Sequence, residues 1–91
     1  MINHLNITIY GEVQGVFMRR TVAHEAKRKG ISGFIRNEPY GAVYLEVEAE
    51  EKILDEFISW LRKGAGEGMH KVQRVEVDKG EFRAFNSFEI Q

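Results

Sequence analysis

The first residues with chemistry to offer lie between Gly11 and Arg19, where the chain reads Gly-Glu-Val-Gln-Gly-Val-Phe-Met-Arg. As a loop joining a strand to a helix, this stretch would leave free N–H groups at the helix start. Together with the positive end of the helix dipole, such groups form an anion site. Glycine lets the backbone curl until successive N–H groups converge. An arginine at the helix start adds a planar, bidentate grip on phosphate oxygens. The Lys-Ser/Thr ending of a Walker loop is missing. Glycine-rich strand-to-helix turns are common, so spacing alone leaves a plain connection with a solvated arginine as the alternative.

Asn37 is the second candidate. A side-chain amide donates to one group and accepts from another, which is what holding a water in place requires. Asparagine is also a favoured turn residue, and Glu38, Pro39, Tyr40 and Gly41 follow it directly, so a structural role stays open. His4, His24 and His70 are scattered without a metal-ligand spacing and read as surface or boundary residues. No serine stands in a Gly-x-Ser-x-Gly elbow. Glu46 and Glu48 share one strand face and read as solvated rather than as an acid–base pair. Lys27, Arg28 and Lys29 read as a helix end rather than a nucleic-acid patch.

The elements that must position these residues follow from periodicity. Leu5, Ile7 and Ile9 alternate with Asn6, Thr8 and Tyr10, which predicts a half-buried strand over Leu5 to Val13. Met18 to Lys29 has helical spacing at Met18, Val22 and Ala26, with cations in the last turn and Gly30 as a stop. Gly33–Asn37 and Ala42–Glu48 read as a hairpin around Pro39 and Gly41. Ile53, Leu54, Phe57, Ile58 and Leu61 form one apolar stripe on a helix from Glu51 to Lys63, bordered by Trp60. Gly64, Gly66 and Gly68 end that helix in a loop. A fourth strand is expected from Val75 and Val77. Phe82, Ala84, Phe88 and Ile90 alternate, which predicts a short final strand within Phe82 to Ile90. The order is that of a ferredoxin-like βαββαβ sandwich of class α+β: an antiparallel sheet, two helices on one face, and a short extra C-terminal strand.

Composition sets the limits. Ninety-one residues suit a single domain over 1–91. With 43% hydrophobic residues and 11% aromatic ones, the chain can build one core. A net charge of -1 supplies no long-range attraction for nucleic acid or anionic membranes, so neither is expected as a partner and any anion site must be local. The absence of cysteine removes disulfides, thiolate nucleophiles and cysteine metal sites. The N-terminal residues read as neither signal peptide nor membrane span, so a cytoplasmic location is expected. Abundant Glu, Lys and Arg without Cys points to a thermophilic source. The size and the lack of a spare apolar face predict a monomer.

Two stretches together carry a resemblance. Gly11 to Arg19 resembles the acylphosphatase signature Gly-x-Val-Gln-Gly-Val-x-Phe-Arg. Gly30-Ile-Ser-Gly-Phe-Ile-Arg-Asn37 is similar to the family's second signature, Gly-hydrophobic-x-Gly-aromatic-hydrophobic-basic-Asn. Gly41-Ala-Val43 and Phe88-Glu-Ile90 also fit, so the likeness spans essentially the whole chain. Met18 departs from the usual Phe before the arginine, and Phe17 fills the variable position ahead of it. The family arginine aligns with Arg19. Arg20, about 100° further round an ideal helix, is expected on the surface.

The resemblance implies a hydrolase that splits acyl phosphates into a carboxylate and inorganic phosphate, with no metal and no cofactor. The main-chain N–H groups of Gln14, Gly15, Val16, Phe17, Met18 and Arg19 would hold the phosphate, the Arg19 side chain would complete the cradle, and Asn37 would orient the attacking water. A phosphate-binding module of the same fold without turnover is the alternative, and Asn37 weighs against it. An RNA-recognition domain would carry basic and aromatic residues where this sheet offers Glu46 and Glu48. The same domain also opens large carbamoyl-transferring hydrogenase-maturation proteins, but a free-standing chain of this length favours the independent enzyme. Acetyl, carbamoyl and phosphoglyceroyl phosphates and phosphoaspartyl proteins share the group the site would hold, and no motif selects among them.

Overall fold

The computed structural model describes residues 1–15, 17–66 and 71–91. Val16 of the anion loop, Gly68 of the expected glycine-rich loop and His70 lie outside the described residues. The chain runs β1 (Ile2–Glu12), α1 (Met18–Arg28), β2 (Ser32–Asn37), β3 (Val43–Glu50), α2 (Glu51–Arg62), β4 (Lys71–Lys79) and β5 (Phe88–Ile90). The five strands form one sheet in the order β4-β1-β3-β2-β5. The pairs β1/β3, β1/β4 and β2/β3 are antiparallel, while β5 joins β2 in parallel. The sheet is thus the expected ferredoxin-like one, made mixed at one edge by its last strand.

Register divides the residues between two faces. Ile7 pairs with Leu45 and Ile9 with Val43, Ile35 pairs with Leu45, and all five are fully buried. They meet Met18, Val22, Ala23 and Ala26 of α1 and Leu54, Phe57 and Leu61 of α2 in one core. The predicted stripes therefore hold, because residues three and four apart on a helix share the face that meets the sheet. Phe57 stacks on Trp60 at 6.0 Å between centroids. No helix among the described residues is long and apolar enough to cross a membrane.

The opposite face departs from the sequence reading. Residues 80–87 run from the β4 edge to the β5 edge as a strap over this face rather than as a strand. Ala84 sits at φ 56, in the left-handed region, which breaks the alternation that predicted extended chain. Phe82 is exposed, and only Phe88–Ile90 pair as strand.

The strap is fastened by a residue expected in solvent. Glu48 is 3% exposed and accepts from three donors: His4 Nδ1 at 2.7 Å, the Arg83 main-chain N–H at 2.6 Å and the Phe85 main-chain N–H at 2.9 Å. His4 is also buried, and its Nε2 lies 2.9 Å from Asn6 Oδ1 and 3.1 Å from Glu46 Oε1. The Phe85 ring covers His4 and meets Phe34 edge-on. Period-two polarity correctly put Glu48 on the non-core face, but it could not show that a distant segment covers that face. Nearby, Tyr44 donates to Glu46 at 2.8 Å, and burial, followed by that bond, pushes its hydroxyl up to about 12, so it remains a donor at neutral pH.

Candidate active site

At the end of β1 the strand bulges. The β1/β4 register shifts between Tyr10 and Gly11, where φ is 136 and a Cβ would strike the main-chain oxygen of Lys71. The bulge turns the chain out of the sheet into the loop that precedes α1. Gly15 follows at φ 75 with open space around it, so its backbone conformation rather than crowding is what favours glycine. Phe17 is the N-cap of α1 at φ 60, ψ 19 and makes no side-chain capping bond. The first bond into the helix is Thr21 N–H to the Phe17 carbonyl, at 2.9 Å. The N–H groups of Met18 and Arg19 in the opening turn have no partner among the described residues. They are the unpaired donors that a helix start presents to an anion.

A cavity of about 430 Å³ opens here. Gly15, Phe17, Met18, Arg19 and Arg20 line it from the loop and α1, and Asn37 and Ile90 line it from β2 and β5, with Val13 beneath. Two segments eighteen residues apart in sequence thus share one cavity, because α1 packs across β2 and β5. Arg19 is half-buried, and its Nη1 donates to the main-chain oxygen of Gln91 at 2.6 Å; Gln91 in turn donates its N–H to Ile35 at 2.8 Å. That contact holds the guanidinium beside the end of β5 and leaves its other N–H groups for an anion. Asn37 is exposed at the last position of β2, paired in register with Val43, and its amide has no partner among the described residues.

Gln14, expected to offer its main-chain N–H to the phosphate, has a separate use for its side chain. It does not line the cavity. Its Nε2 uses both N–H groups on the β2–β3 turn, donating to the Glu38 carbonyl at 2.7 Å and the Ala42 carbonyl at 2.8 Å. The turn itself closes through Glu38 N–H to Ala42 O at 2.8 Å. Gln14 therefore ties the loop to the segment immediately after Asn37. Arg20, expected on the surface, is exposed but also belongs to the cavity wall, since the helix start is open on that side. Val13 and Ile90 were not among the predicted site residues. Ile90 arrives only through the parallel register that sets it opposite Ile35, two residues before Asn37. Among the described residues no group of three or more His, Cys, Asp or Glu could hold a metal ion.

Comparison with known proteins gives one consistent result. The acylphosphatase family model matches residues 5–90. The chain is 38% identical over 86 residues to the acylphosphatase of Archaeoglobus fulgidus, covering 94% of both chains. It is 40% identical over 85 residues to that of Geotalea uraniireducens, covering 92% of this chain and 91% of the relative. Among solved structures, the acylphosphatase from Bacillus subtilis superimposes with a TM-score of 0.90 at 26% identity, covering 100% of this chain and 99% of that one. Full-length HypF in its phosphate- and nucleotide-bound form gives a TM-score of 0.87 at 27% identity, with this chain spanning 12% of its length. Matched over nearly its whole length in both sequence and fold, the chain belongs to the acylphosphatase family, a family of enzymes.

Proposed function

We propose that this chain hydrolyses acyl phosphates, with the phosphate held by the loop before α1 and by Arg19, and with the water oriented by Asn37. The single observation that carries the reading is that Arg19 and Asn37, far apart in sequence, line the same cavity beside N–H groups at the start of α1 that have no partner among the described residues. Water attacks phosphorus, the bond to the acyl oxygen breaks, and its electron pair leaves on the carboxylate. One water proton passes to a phosphate oxygen of the substrate itself. A carboxylate is a good leaving group, with a conjugate-acid pKa of ~4 to 5, so no general acid is needed. Phosphoryl transfer is loose, and positioning with charge stabilisation supplies most of the catalysis. These demands match a guanidinium, a set of N–H donors and one free amide. Metal independence belongs to the same proposal.

The test is hydrolysis of benzoyl phosphate with excess chelator, beside Arg19→Ala and Asn37→Ala. Chelator-resistant turnover is expected from the wild type. Asn37→Ala should lose about 10²- to 10³-fold in turnover while inorganic phosphate still inhibits, whereas Arg19→Ala should lose phosphate affinity as well. Equal loss of phosphate binding in both variants would contradict the division of roles. Phosphate binding without turnover in the wild type would favour a recognition module.

A further inference from the structure

Phe17 contradicts every local preference of its position. It is 72% exposed, so burying its ring contributes little to the fold. Its backbone lies at φ 60, ψ 19, a left-handed conformation that suits glycine or asparagine and strains a bulky side chain. It is the N-cap of α1, where Ser, Thr, Asp or Asn would accept a bond from the first turn, and it makes no such bond. Where backbone, cap and burial all disfavour a residue, the requirement is a functional one. The ring lines the cavity that holds Arg19 and Asn37.

We infer that the Phe17 ring is the contact surface for the acyl group of the substrate, favouring flat, apolar acyl phosphates over small ones. The inference rests on the proposed hydrolase reading and adds to it the class of acyl group. In-line displacement fixes the direction: the leaving oxygen departs on the side of phosphorus opposite the attacking water. Asn37 brings the water from the β2 side, so the acyl group extends away from β2, past the solvent-exposed side of the loop where the Phe17 ring stands. On that side Phe17 is the large apolar side chain left in solvent. An aromatic ring there meets an aryl or extended acyl group across its face, whereas an acetyl group is too short to cover it. The mobile part of the substrate is then held without any contact to the reacting atoms.

The experiment compares kcat/KM for benzoyl phosphate and acetyl phosphate in the wild type, Phe17→Gly and Phe17→Tyr. Glycine accepts the same backbone conformation, and tyrosine keeps the ring. The readout is the benzoyl-to-acetyl ratio within each protein. Any disturbance of the phosphate cradle lowers both substrates alike and cancels in the ratio, as does their different intrinsic reactivity. The ratio should fall about tenfold in Phe17→Gly, the range for losing one apolar contact in a substrate site, and should be kept in Phe17→Tyr. An unchanged ratio in Phe17→Gly, with or without a common loss of rate, would overturn the inference and leave the hydrolase reading intact. Failure of the wild type to hydrolyse either substrate would overturn both.

Discussion

Two polar clusters lie toward opposite ends of the same strands, and they are built in opposite ways. At one end His4 and Glu48 are sealed beneath residues 80–87, and both oxygens of Glu48 accept bonds. At the other end Asn37 stands exposed with its amide unpartnered, and the opening N–H groups of α1 are unpaired among the described residues. A buried carboxylate must be satisfied, since desolvation would otherwise be too costly. An exposed cluster can leave donors unused because water satisfies them, and a substrate can then replace that water. The sealed cluster therefore has the form of a fastening, and the open one has the form of a site.

The contrast is open to direct attack. The largest effect is expected from Glu48→Ala, which strips a partner from His4 and leaves the Arg83 and Phe85 N–H groups unbonded under the strap. A cost of about 3 kcal/mol is expected, near the low end for breaking a buried pair, with a fall in Tm of order 15 °C. Asn37→Ala, on the exposed cluster, should melt within about 3 °C of the wild type. Thermal melts of the two variants compare the clusters directly, and similar melting temperatures would erase the distinction.

Gln14→Ala probes the link between loop and turn. Removing two bonds should let the β2–β3 turn drift relative to the proposed phosphate loop, and turnover should fall about tenfold with a smaller change in phosphate affinity. Gln14→Glu, which points a carboxylate at two carbonyl oxygens, should fall further. The kcat of each variant, set against inhibition by inorganic phosphate, separates positioning from binding, and wild-type turnover in Gln14→Ala would remove the positioning role.

The smallest effect is one of pH. Burial raises the Glu48 carboxyl, but the hydrogen bonds from His4, Arg83 and Phe85 outweigh it and hold the group below its ordinary 4.5. A carboxyl lowered in the folded state contributes stability above its unfolded pKa and loses it as pH falls through the folded value. Urea midpoints of the wild type should therefore drop as pH falls below the ordinary carboxyl value of 4.5, and Glu48→Gln should show a shallower drop over the same acid range. Parallel slopes would mean that other carboxyl groups govern the acid limit.

Much of the molecule was legible from local patterns. The alternation at Leu5, Ile7 and Ile9 and the stripe through Leu54, Phe57 and Leu61 report a choice each residue makes with its near neighbours, so they survive into the fold. The turn around Pro39 and Gly41, and the loop from Gly11 to Arg19, were readable because backbone conformation there depends on the residues present. Other features are properties of segments meeting. Ala84 in a left-handed conformation, the strap it belongs to and the burial of His4 and Glu48 depend on where residues 80–87 cross the sheet. A two-residue period assigns a side chain to a face but cannot say whether that face is wet. The Gln14 side chain on the β2–β3 turn and Ile90 beside Asn37 likewise come from strand order and register.

The sequence by itself determined the residue types of the candidate site: a glycine-bearing loop, Arg19 at a helix start and Asn37 at a strand end, placed by local periodicity and singled out by the family resemblance. Only the tertiary structure decided that α1 packs across β2 and β5, and so that these residues share one cavity. Which residues meet across a sheet depends on the apolar surface the whole chain can bury at once, and no short stretch encodes that.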